Sequence, residues 1–595
     1  MRRGGWRLYS LLVLGAWVLG LVACRPAAVP TPTPVPTPTP QARVTPTPVS
    51  PGMPAPTPTP FVVPTPTPIR PTPTPTPTPA DLPRYGGIYR VAGQEAPSLD
   101  PHLTISFLTM NVASLVYDHL VGFPFGPEAK DPYDETILPQ LAEKWEFSPD
   151  YRTVTFTLRR GVKYHNKPPV NGREVKASDV VFSLERFRAR SGFRINFEPV
   201  TKIEAVDDYT VRIHLAQPYA PLLNHLSQPS YNVILPPEGE AQYRDYNSVE
   251  ASIGTGPFIL TSYTRGVQYI FKKNPDYWRR GLPYVDEVRV EIAADYSTRV
   301  ALLRTGRVHQ ANWVPTIEDA EYFQLQRTRP DLVLGTGYKS LTLNTIYFNT
   351  TKPPFNDVRV RQAVSLAIHR QAWIDTLHYG EGCLYHGPIP CAYEAWQLPI
   401  EKYPPDKAKI LIGYDPDLAR KLLADAGYST GLSFPLRYAT VVYGAVWDSR
   451  YQLAAENLAK VGIRAELRPQ EYGLYISTTY LGRFDDAAIG PVTPYAEADY
   501  FLMGHFYPGQ AGNRSSVNDP ALNPLLEQQR MEMDPKKRLE TVYKIQEYLA
   551  DKAYYVYLPA PIIRTAWQPS LRGMVFKILG SYGVGKMYMY AWLAQ

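Results

Sequence analysis

Adjacent carboxylates are the first residues in this sequence that invite a test for acid–base chemistry. Asp485 and Asp486 form such a pair, but neighbouring side chains of a strand point to opposite faces, so the two are a poor match for one reacting group. Neither HExxH nor GxGxxG occurs in the sequence, which removes two common catalytic and cofactor sites. We therefore predict that the chain is not an enzyme and binds no cofactor. A secreted glycoside hydrolase, which needs only two carboxylates that meet in space, stays open as the alternative.

Cysteine and histidine residues are the next candidates, since they bind metals. Cys383 and Cys391 lie eight residues apart in the segment GCLYHGPIPC, with His386 between them. A metal site built on these three residues lacks a fourth ligand in the sequence. The remaining histidines are scattered without metal-ligand spacing, so we predict no metal site. In an oxidising compartment the two cysteines instead favour a disulfide that closes a short loop.

The amino terminus indicates the compartment. Arg2, Arg3 and Arg7 precede an almost purely apolar run at residues 8–23, which is the layout of a secretory signal. The run ends in Leu-Val-Ala-Cys, which resembles a bacterial lipobox, so the resemblance implies lipidation of Cys24. An uncleaved anchor helix is the alternative. In both cases we expect the rest of the chain outside the cytoplasm, held at the outer face of the cell membrane.

Thr-Pro repeats dominate residues 24–80, which we interpret as a linker after the signal peptide at 1–23. Such composition forms no core and favours polyproline II, so about 55 residues would reach about 150 Å. The net charge of the whole chain is +7, and removing the three arginines of the signal leaves +4. This weak charge and the lack of a dense basic stripe argue against a nucleic-acid partner.

The region after the linker has the patterning of a globular α/β protein. Alternating apolar and polar residues predict strands at 154–158, 211–215 and 288–292. Apolar residues at helical spacing predict a helix over 360–368, and Asp-Pro followed by a closing glycine predicts another over 415–427. Roughly 510 residues exceed one ordinary core, so we expect two or more lobes of mixed α/β structure.

Six stretches of the sequence follow one another in the order seen in a known family. They are GGIYRVAGQEAPSLDP (86–101), LPQLAEKWEFSPDYRTVTFTLRRGVKYH (138–165), VKASDVVFSLERF (175–187), the segment from IGTGPFIL to LPYVDEVRVEI (253–292), YFNTTKPPFNDVRVRQAVSLAIHR (347–370) and YDPDLARKLLADAGY (414–428). Each is a weak signal alone. Their order resembles that of the dipeptide-, oligopeptide- and nickel-type solute-binding proteins of ATP-binding-cassette (ABC) importers.

This resemblance implies a two-lobe periplasmic-binding-protein fold (type II, class C-like), with an extra subdomain on lobe one. It also implies binding by hinge closure, in which a solute selects the closed state by contacting both lobes. The expected partners are the permease subunits of the importer, and we expect a monomer. The expected segments are 84–126, 240–333 and 552–595 for lobe one, 127–239 for the inserted subdomain, and 334–551 for lobe two.

The expected ligand is a peptide or a similar oligomeric solute, with an oligosaccharide as the close alternative. Peptide-binding members of the family hold the peptide amine with an aspartate after a Gly-Trp pair. The matching stretch at 490–502 has Pro491 and Pro494 at those positions, so Glu497 is the nearest acid that could substitute. His119 stands alone and does not indicate nickel or haem. The candidate ligand-binding residues are Tyr117, Asp118, His119, Asn349, Tyr443, Trp447, Arg450, Gly490, Thr493, Tyr495 and Glu497.

Overall fold

A computed structural model of the chain describes residues 82–104, 106–228, 232–440, 445–492, 495, 497–577 and 583–594. The expected signal segment, Cys24 and the Thr-Pro linker lie outside the described residues. Among the helices of the described residues, none has both the length and the apolar character needed to cross a bilayer.

The described residues form 21 β-strands. In chain order these are β1 (Ile88–Gly93), β2 (Val121–Gly122), β3 (Leu138–Pro139), β4 (Ala142–Phe147), β5 (Thr153–Leu158), β6 (Val200–Asp207), β7 (Thr210–Leu215), β8 (Phe258–Thr264), β9 (Gln268–Lys273), β10 (Glu287–Ile292), β11 (Thr316–Ile317), β12 (Val333–Lys339), β13 (Leu343–Phe348), β14 (Gly382–Cys383), β15 (Leu432–Ala439), β16 (Ile463–Gln470), β17 (Ala487–Val492), β18 (Tyr555–Leu558), β19 (Ala560–Trp567), β20 (Leu571–Arg572) and β21 (Trp592–Leu593).

The same residues form 16 α-helices. These are α1 (Phe107–Val116), α2 (Ala177–Arg190), α3 (Leu222–Ser227), α4 (Pro237–Tyr243), α5 (Tyr296–Arg304), α6 (Asp319–Thr328), α7 (Val358–Ala367), α8 (Arg370–Leu377), α9 (Pro405–Ile412), α10 (Pro416–Asp425), α11 (Ala445–Ala459), α12 (Tyr472–Ser477), α13 (Ala498–Phe506), α14 (Asn523–Met531), α15 (Pro535–Ala550) and α16 (Val584–Tyr588).

Two linked sheets build the first lobe. One has the strand order β1-β10-β9-β8, with β1 parallel to β10 and the remaining neighbours antiparallel. The other has the order β11-β19-β12, and Gln310 connects the two by bridging Val91 of β1 and Trp567 of β19. Val288 and Val290 of β10 are buried, which confirms the strand predicted at 288–292.

A separate antiparallel sheet with the order β4-β5-β7-β6 forms between residues 142 and 215. Along β5, Val154, Phe156 and Leu158 are buried, whereas the threonines between them are half-buried. This alternation confirms the predicted strand and places one apolar face against helix α2, which packs on β6 and β7. The sheet lies within the segment expected for the inserted subdomain.

The second lobe is built on a mixed sheet with the order β16-β15-β17-β13-β18. β15 runs parallel to both of its neighbours, and β13 runs antiparallel to both of its own. Asp357, Asp415 and Asp534 cap α7, α10 and α15, because each side chain accepts a hydrogen bond from a backbone N–H of the first turn. The cap at Asp415 confirms the helix start predicted there from the sequence.

Two crossings join the lobes. Residues 340–342 lead from β12 of the first lobe to β13 of the second, and Pro559 leads from β18 back to β19. Before the outward crossing β12 pairs with β19, and before the return crossing β18 pairs with β13. The segment bounds expected from the resemblance stay a prediction.

A disulfide-closed loop packs on this junction. The structure joins Cys383 and Cys391 in a disulfide, and β14, which contains Cys383, pairs with β19 just after the return crossing. His386 Nε2 lies 2.8 Å from the carbonyl oxygen of Thr342, in the outward crossing. The loop therefore contacts the outward crossing and the start of β19, just after the return crossing.

Candidate functional site

A cavity of about 640 Å³ lies between the two lobes. Asn111, Trp313 and Glu318 line it from the first lobe, and Asn344 and Arg450 line it from the second. Ser340 and Thr342 of the outward crossing also contribute to its wall, as do Ala560 and Pro561 just after the return crossing. Small-molecule sites in proteins typically measure about 300–1,000 Å³, so the cavity is large enough for a ligand that touches both lobes at once.

Helix α11 provides an aromatic and cationic wall. Arg450 is only 6% exposed, and its guanidinium lies 4.4 Å from the centroid of the Trp447 ring. Within the described residues the guanidinium forms no ion pair, and its Nε has no hydrogen-bond partner. Burial lowers the pKa of Arg450 to about 10, so the side chain is still charged at neutral pH. A buried cation in this state is complementary to an anionic group on a ligand.

Glu318, just before α6, provides an acidic group on the opposite wall. Its backbone N–H donates a 2.8 Å hydrogen bond to the Tyr296 hydroxyl, which holds the start of the helix. In the part of the chain that the structure describes, the Glu318 carboxyl makes no ion pair or hydrogen bond. Burial raises its pKa to about 7, and Arg450 opposes this shift.

The other charged groups of the cavity are already paired. Arg564 forms an ion pair of 2.7 Å with Asp319. Arg299 donates hydrogen bonds to the Asn312 side chain and to the carbonyl oxygens of residues 293 and 294, at 2.7–2.8 Å. These groups are held in the wall, so among the described lining residues Glu318 and Arg450 are the charged side chains without an ion-pair or hydrogen-bond partner.

Two buried carboxamides also face the cavity. Asn111 of α1 is 1% exposed and Asn344 of β13 is 3% exposed. Within the described residues, neither the amide nitrogen nor the amide oxygen of either side chain has a hydrogen-bond partner. Each carboxamide can donate and accept at the same time, and leaving such groups unsatisfied costs about 1–3 kcal/mol each.

The candidate residues from the sequence fall into different places. Trp447 and Arg450 line the cavity, whereas Tyr117, Asp118 and His119 lie in the core of the first lobe and do not. Asp118 forms an ion pair with Lys586. Burial lowers the pKa of His119 to about 3, so this histidine is neutral at physiological pH.

Asn349 and Gly490 have structural contacts in the second lobe. Asn349 donates a 2.9 Å hydrogen bond to the carbonyl oxygen of Phe484. Gly490 lies on β17, where a Cβ atom would collide with the hydroxyl of Tyr475. Neither residue lines the cavity. Tyr443 and Thr493 lie outside the described residues.

Tyr495 and Glu497 are buried outside the cavity lining. The Tyr495 hydroxyl lies 3.0 Å from His225 Nδ1 and accepts a 3.0 Å hydrogen bond from Asn196. Glu497 is 1% exposed, pairs with Arg538 and caps α13. Because its carboxylate is committed to Arg538 and lies away from the cavity lining, Glu497 is not placed to hold a ligand there.

Sequence reasoning missed Asn111, Glu318 and Asn344. Glu318 and Asp319 open a helix, where acids are favoured by the helix dipole in any protein, so nothing in the pattern singles out one of them. Asn344 sits inside a buried strand and Asn111 inside a buried helix. An asparagine in such a run is only a weak indication of a binding site. Its importance becomes apparent only when the structure shows that its amide has no partners.

Two short stretches fit catalytic patterns by spacing alone. GYSTG at 427–431 fits GxSxG, but it leads from α10 to β15 with Ser429 exposed, whereas a nucleophile elbow leads from a strand to a helix. GSYGVGK at 580–586 fits GxxxxGK, but Met587 follows where a nucleotide-binding loop needs Ser or Thr. Neither stretch supplies a catalytic site. Among the described residues, no group of three or more His, Cys, Asp or Glu residues is arranged to hold a metal.

Comparison with known proteins matches this geometry to one family. Residues 136–513 match the family described as bacterial extracellular solute-binding proteins, family 5 Middle. Di/tripeptide-binding protein 1 of Pseudomonas aeruginosa (strain UCBPP-PA14) is 30% identical over 509 residues, covering 80% of this chain and 88% of that protein. The dipeptide-binding protein of Escherichia coli (strain K12) is 27% identical over 512 residues, covering 81% and 91%.

A solved structure agrees with this match. The ABC transporter-associated periplasmic binding protein DppA from Helicobacter pylori, in complex with the peptide STSA, has a TM-score of 0.74 to this chain at 27% identity. The likeness covers 86% of this chain and 99% of that one. It confirms the expected two-lobe α/β binding-protein fold.

Proposed function

Because the chain belongs to the bacterial extracellular solute-binding proteins of family 5, we propose that it captures short peptides between its two lobes and delivers them to an ABC importer. The relatives reported above are named for dipeptides and tripeptides, and the solved structure contains a peptide. The polar groups of this chain's own cavity support the same class of ligand.

The observation that carries the proposal is the set of unpaired polar groups in the cavity. Asn111 and Asn344 each present a donor and an acceptor without partners in the described residues, which suits the N–H and C=O of a peptide bond. Arg450 presents a buried positive charge, which suits a carboxylate at a peptide's end. The rings of Trp313 and Trp447 add flat apolar surface for side chains.

The two alternatives fit these groups less well. A neutral oligosaccharide could stack on Trp447 and bond to the carboxamides, but it would leave the buried Arg450 cation without an ion-pair partner, which is costly. A glycoside hydrolase needs two carboxylates around one bond, whereas of the two acids that line the cavity within the described residues, Glu318 and Asp319, the second is held by Arg564. We therefore propose binding without turnover.

A ligand screen tests this proposal. Short peptides at 100 times their dissociation constant should stabilise the protein by about 2.7 kcal/mol through mass action, which a thermal shift assay detects. Oligosaccharides, tested in parallel, should give no shift. Mass spectrometry of the mixture should recover the peptide intact. Stabilisation by oligosaccharides alone, or consumption of a hit beyond one equivalent, would contradict the proposal.

We also propose that Cys24 carries lipid and holds the protein at the outer face of the membrane, near the permease. The basic and apolar leader with a lipobox-like end supports this. Replacing Cys24→Ser should abolish labelling by radioactive palmitate and either shed the protein or leave it uncleaved, whereas Cys383→Ser should keep the label. Equal labelling of Cys24→Ser and wild type would rule the anchor out. Since both cavity walls come from one chain, a monomer suffices for binding.

A further inference from the structure

The cavity carries opposite charges on its two walls. The carboxyl of Glu318 belongs to the first lobe, and the guanidinium of Arg450 belongs to the second. In the described part of the chain, neither side chain forms an ion pair or a hydrogen bond. Arg450 is buried and Glu318 is half-buried. Charges withdrawn from water are normally paired, so an acid and a base that line one cavity without an ion-pair partner indicate a ligand that carries both charges.

We propose that Glu318 is the residue that binds the free ammonium group of the ligand. A bound peptide then lies with its amino end on the first lobe and its carboxyl end toward Arg450 on the second. This inference rests on the proposed function and deepens it, because it names the ligand as a zwitterion and assigns its direction across the cleft.

The other acidic groups are not available for this role. The acids that line the cavity, within the described residues, are Glu318 and Asp319. Asp319 is bonded to Arg564 at 2.7 Å and lies 3.1 Å from His378 Nδ1. Glu497, the acid that the sequence suggested as a substitute for the missing aspartate, is paired with Arg538 outside the cavity lining. The ammonium-binding acid is therefore assigned to Glu318 of the first lobe and not to Glu497.

This arrangement couples recognition to closure. A zwitterion attaches one of its ends to each lobe, so it stabilises the state in which the lobes come together more than the state in which they are apart. A ligand lacking either charge would leave a buried group unpaired in the closed state. The pair Glu318 and Arg450 thus selects for peptides with both termini free.

The titration of Glu318 predicts a pH dependence of binding, which gives a second test of this assignment. Burial raises its pKa to about 7, Arg450 on α11 and Arg299 on α5 lower it, and Glu321 and Asp319 on α6 raise it. The carboxyl must be ionised to hold an ammonium. As the pH falls through 7 the carboxyl gains a proton, so affinity for a free amine should fall on the acidic side.

The test compares dipeptides and tripeptides that have free amino termini with the same peptides after N-acetylation, using wild type, Glu318→Gln and Glu321→Gln. Glu321 is a matched control, because this acid on the same helix pairs with Arg304 at 3.1 Å and does not line the cavity. Wild type and Glu321→Gln should bind the free amines about ten- to a hundred-fold more tightly than the acetylated forms. Glu318→Gln should lose this preference.

A pH series on wild type needs no variant. Binding of free-amine peptides should weaken about ten-fold between pH 7 and pH 5, whereas binding of acetylated peptides should stay level. If Glu318→Gln keeps the wild-type preference, or if wild type shows no preference at all, the assignment of Glu318 is wrong while peptide binding stands. If wild type binds neither form, the proposed function fails and this inference fails with it.

Discussion

Replacing Asp118 by alanine is expected to lower the free energy of unfolding by about 3–5 kcal/mol. Asp118 is fully buried and pairs with Lys586 near the carboxyl terminus. It also accepts 3.0 Å hydrogen bonds from the Trp278 indole and the Thr255 hydroxyl. Removing the carboxylate leaves the Lys586 cation buried without its partner, and this uncompensated charge is the main source of the loss.

An exposed aspartate–lysine pair provides the control. The side chain of Asp485 is 75% exposed and lies 2.5 Å from Lys352. Pairs of this kind contribute about 0–1 kcal/mol, so Asp485→Ala should change stability little. Urea denaturation followed by tryptophan fluorescence measures both variants. Equal losses for Asp118→Ala and Asp485→Ala would show that the buried pair does not hold the first lobe together.

Replacing Arg450 by methionine is expected to weaken peptide binding by about 2–5 kcal/mol, because a buried charge partner of the ligand is lost. That range corresponds to a rise in Kd of about thirty-fold to several thousand-fold. Stability of the unliganded protein should hold or rise, since the guanidinium makes no ion pair in the described residues and its removal relieves a buried charge. Isothermal titration calorimetry and thermal unfolding separate the two effects.

Arg468→Met is the matched control for this substitution. The side chain of Arg468 on β16 is 59% exposed and pairs with Glu466, so its loss should alter neither binding nor stability by more than about 1 kcal/mol. Arg450→Met contradicts the account if it binds peptides as tightly as wild type. The account is also contradicted if the whole loss of affinity is explained by the fraction of the Arg450→Met protein that is unfolded.

Local signals in the sequence predicted the elements well. Asp415 marks a helix start because capping needs only a few neighbouring backbone groups. The stripe at 154–158 marks a strand because one face of it is buried. Sheet pairing leaves no such local signal, since the pairing of β18 with β13 joins residues about 200 positions apart in the chain.

The binding residues were harder to predict because their roles depend on partners that are distant in the sequence. Trp447 and Arg450 were among the candidates from the sequence, and the structure places both on the cavity wall. Glu497 was chosen for its nearness to a replaced aspartate, but Arg538, 41 residues further on, binds its carboxylate. Glu318 has no such partner in the described residues, and only the folded chain reveals this difference.

The central claim is that the solute is held between the lobes. Small-angle X-ray scattering with and without a stabilising peptide tests this claim most directly. If both walls bind the ligand, saturating peptide should reduce the radius of gyration of the wild-type protein, and Arg450→Met at the same peptide concentration should show no such decrease. A peptide that binds tightly to the wild type without any change in the radius of gyration would contradict capture by closure of the two lobes.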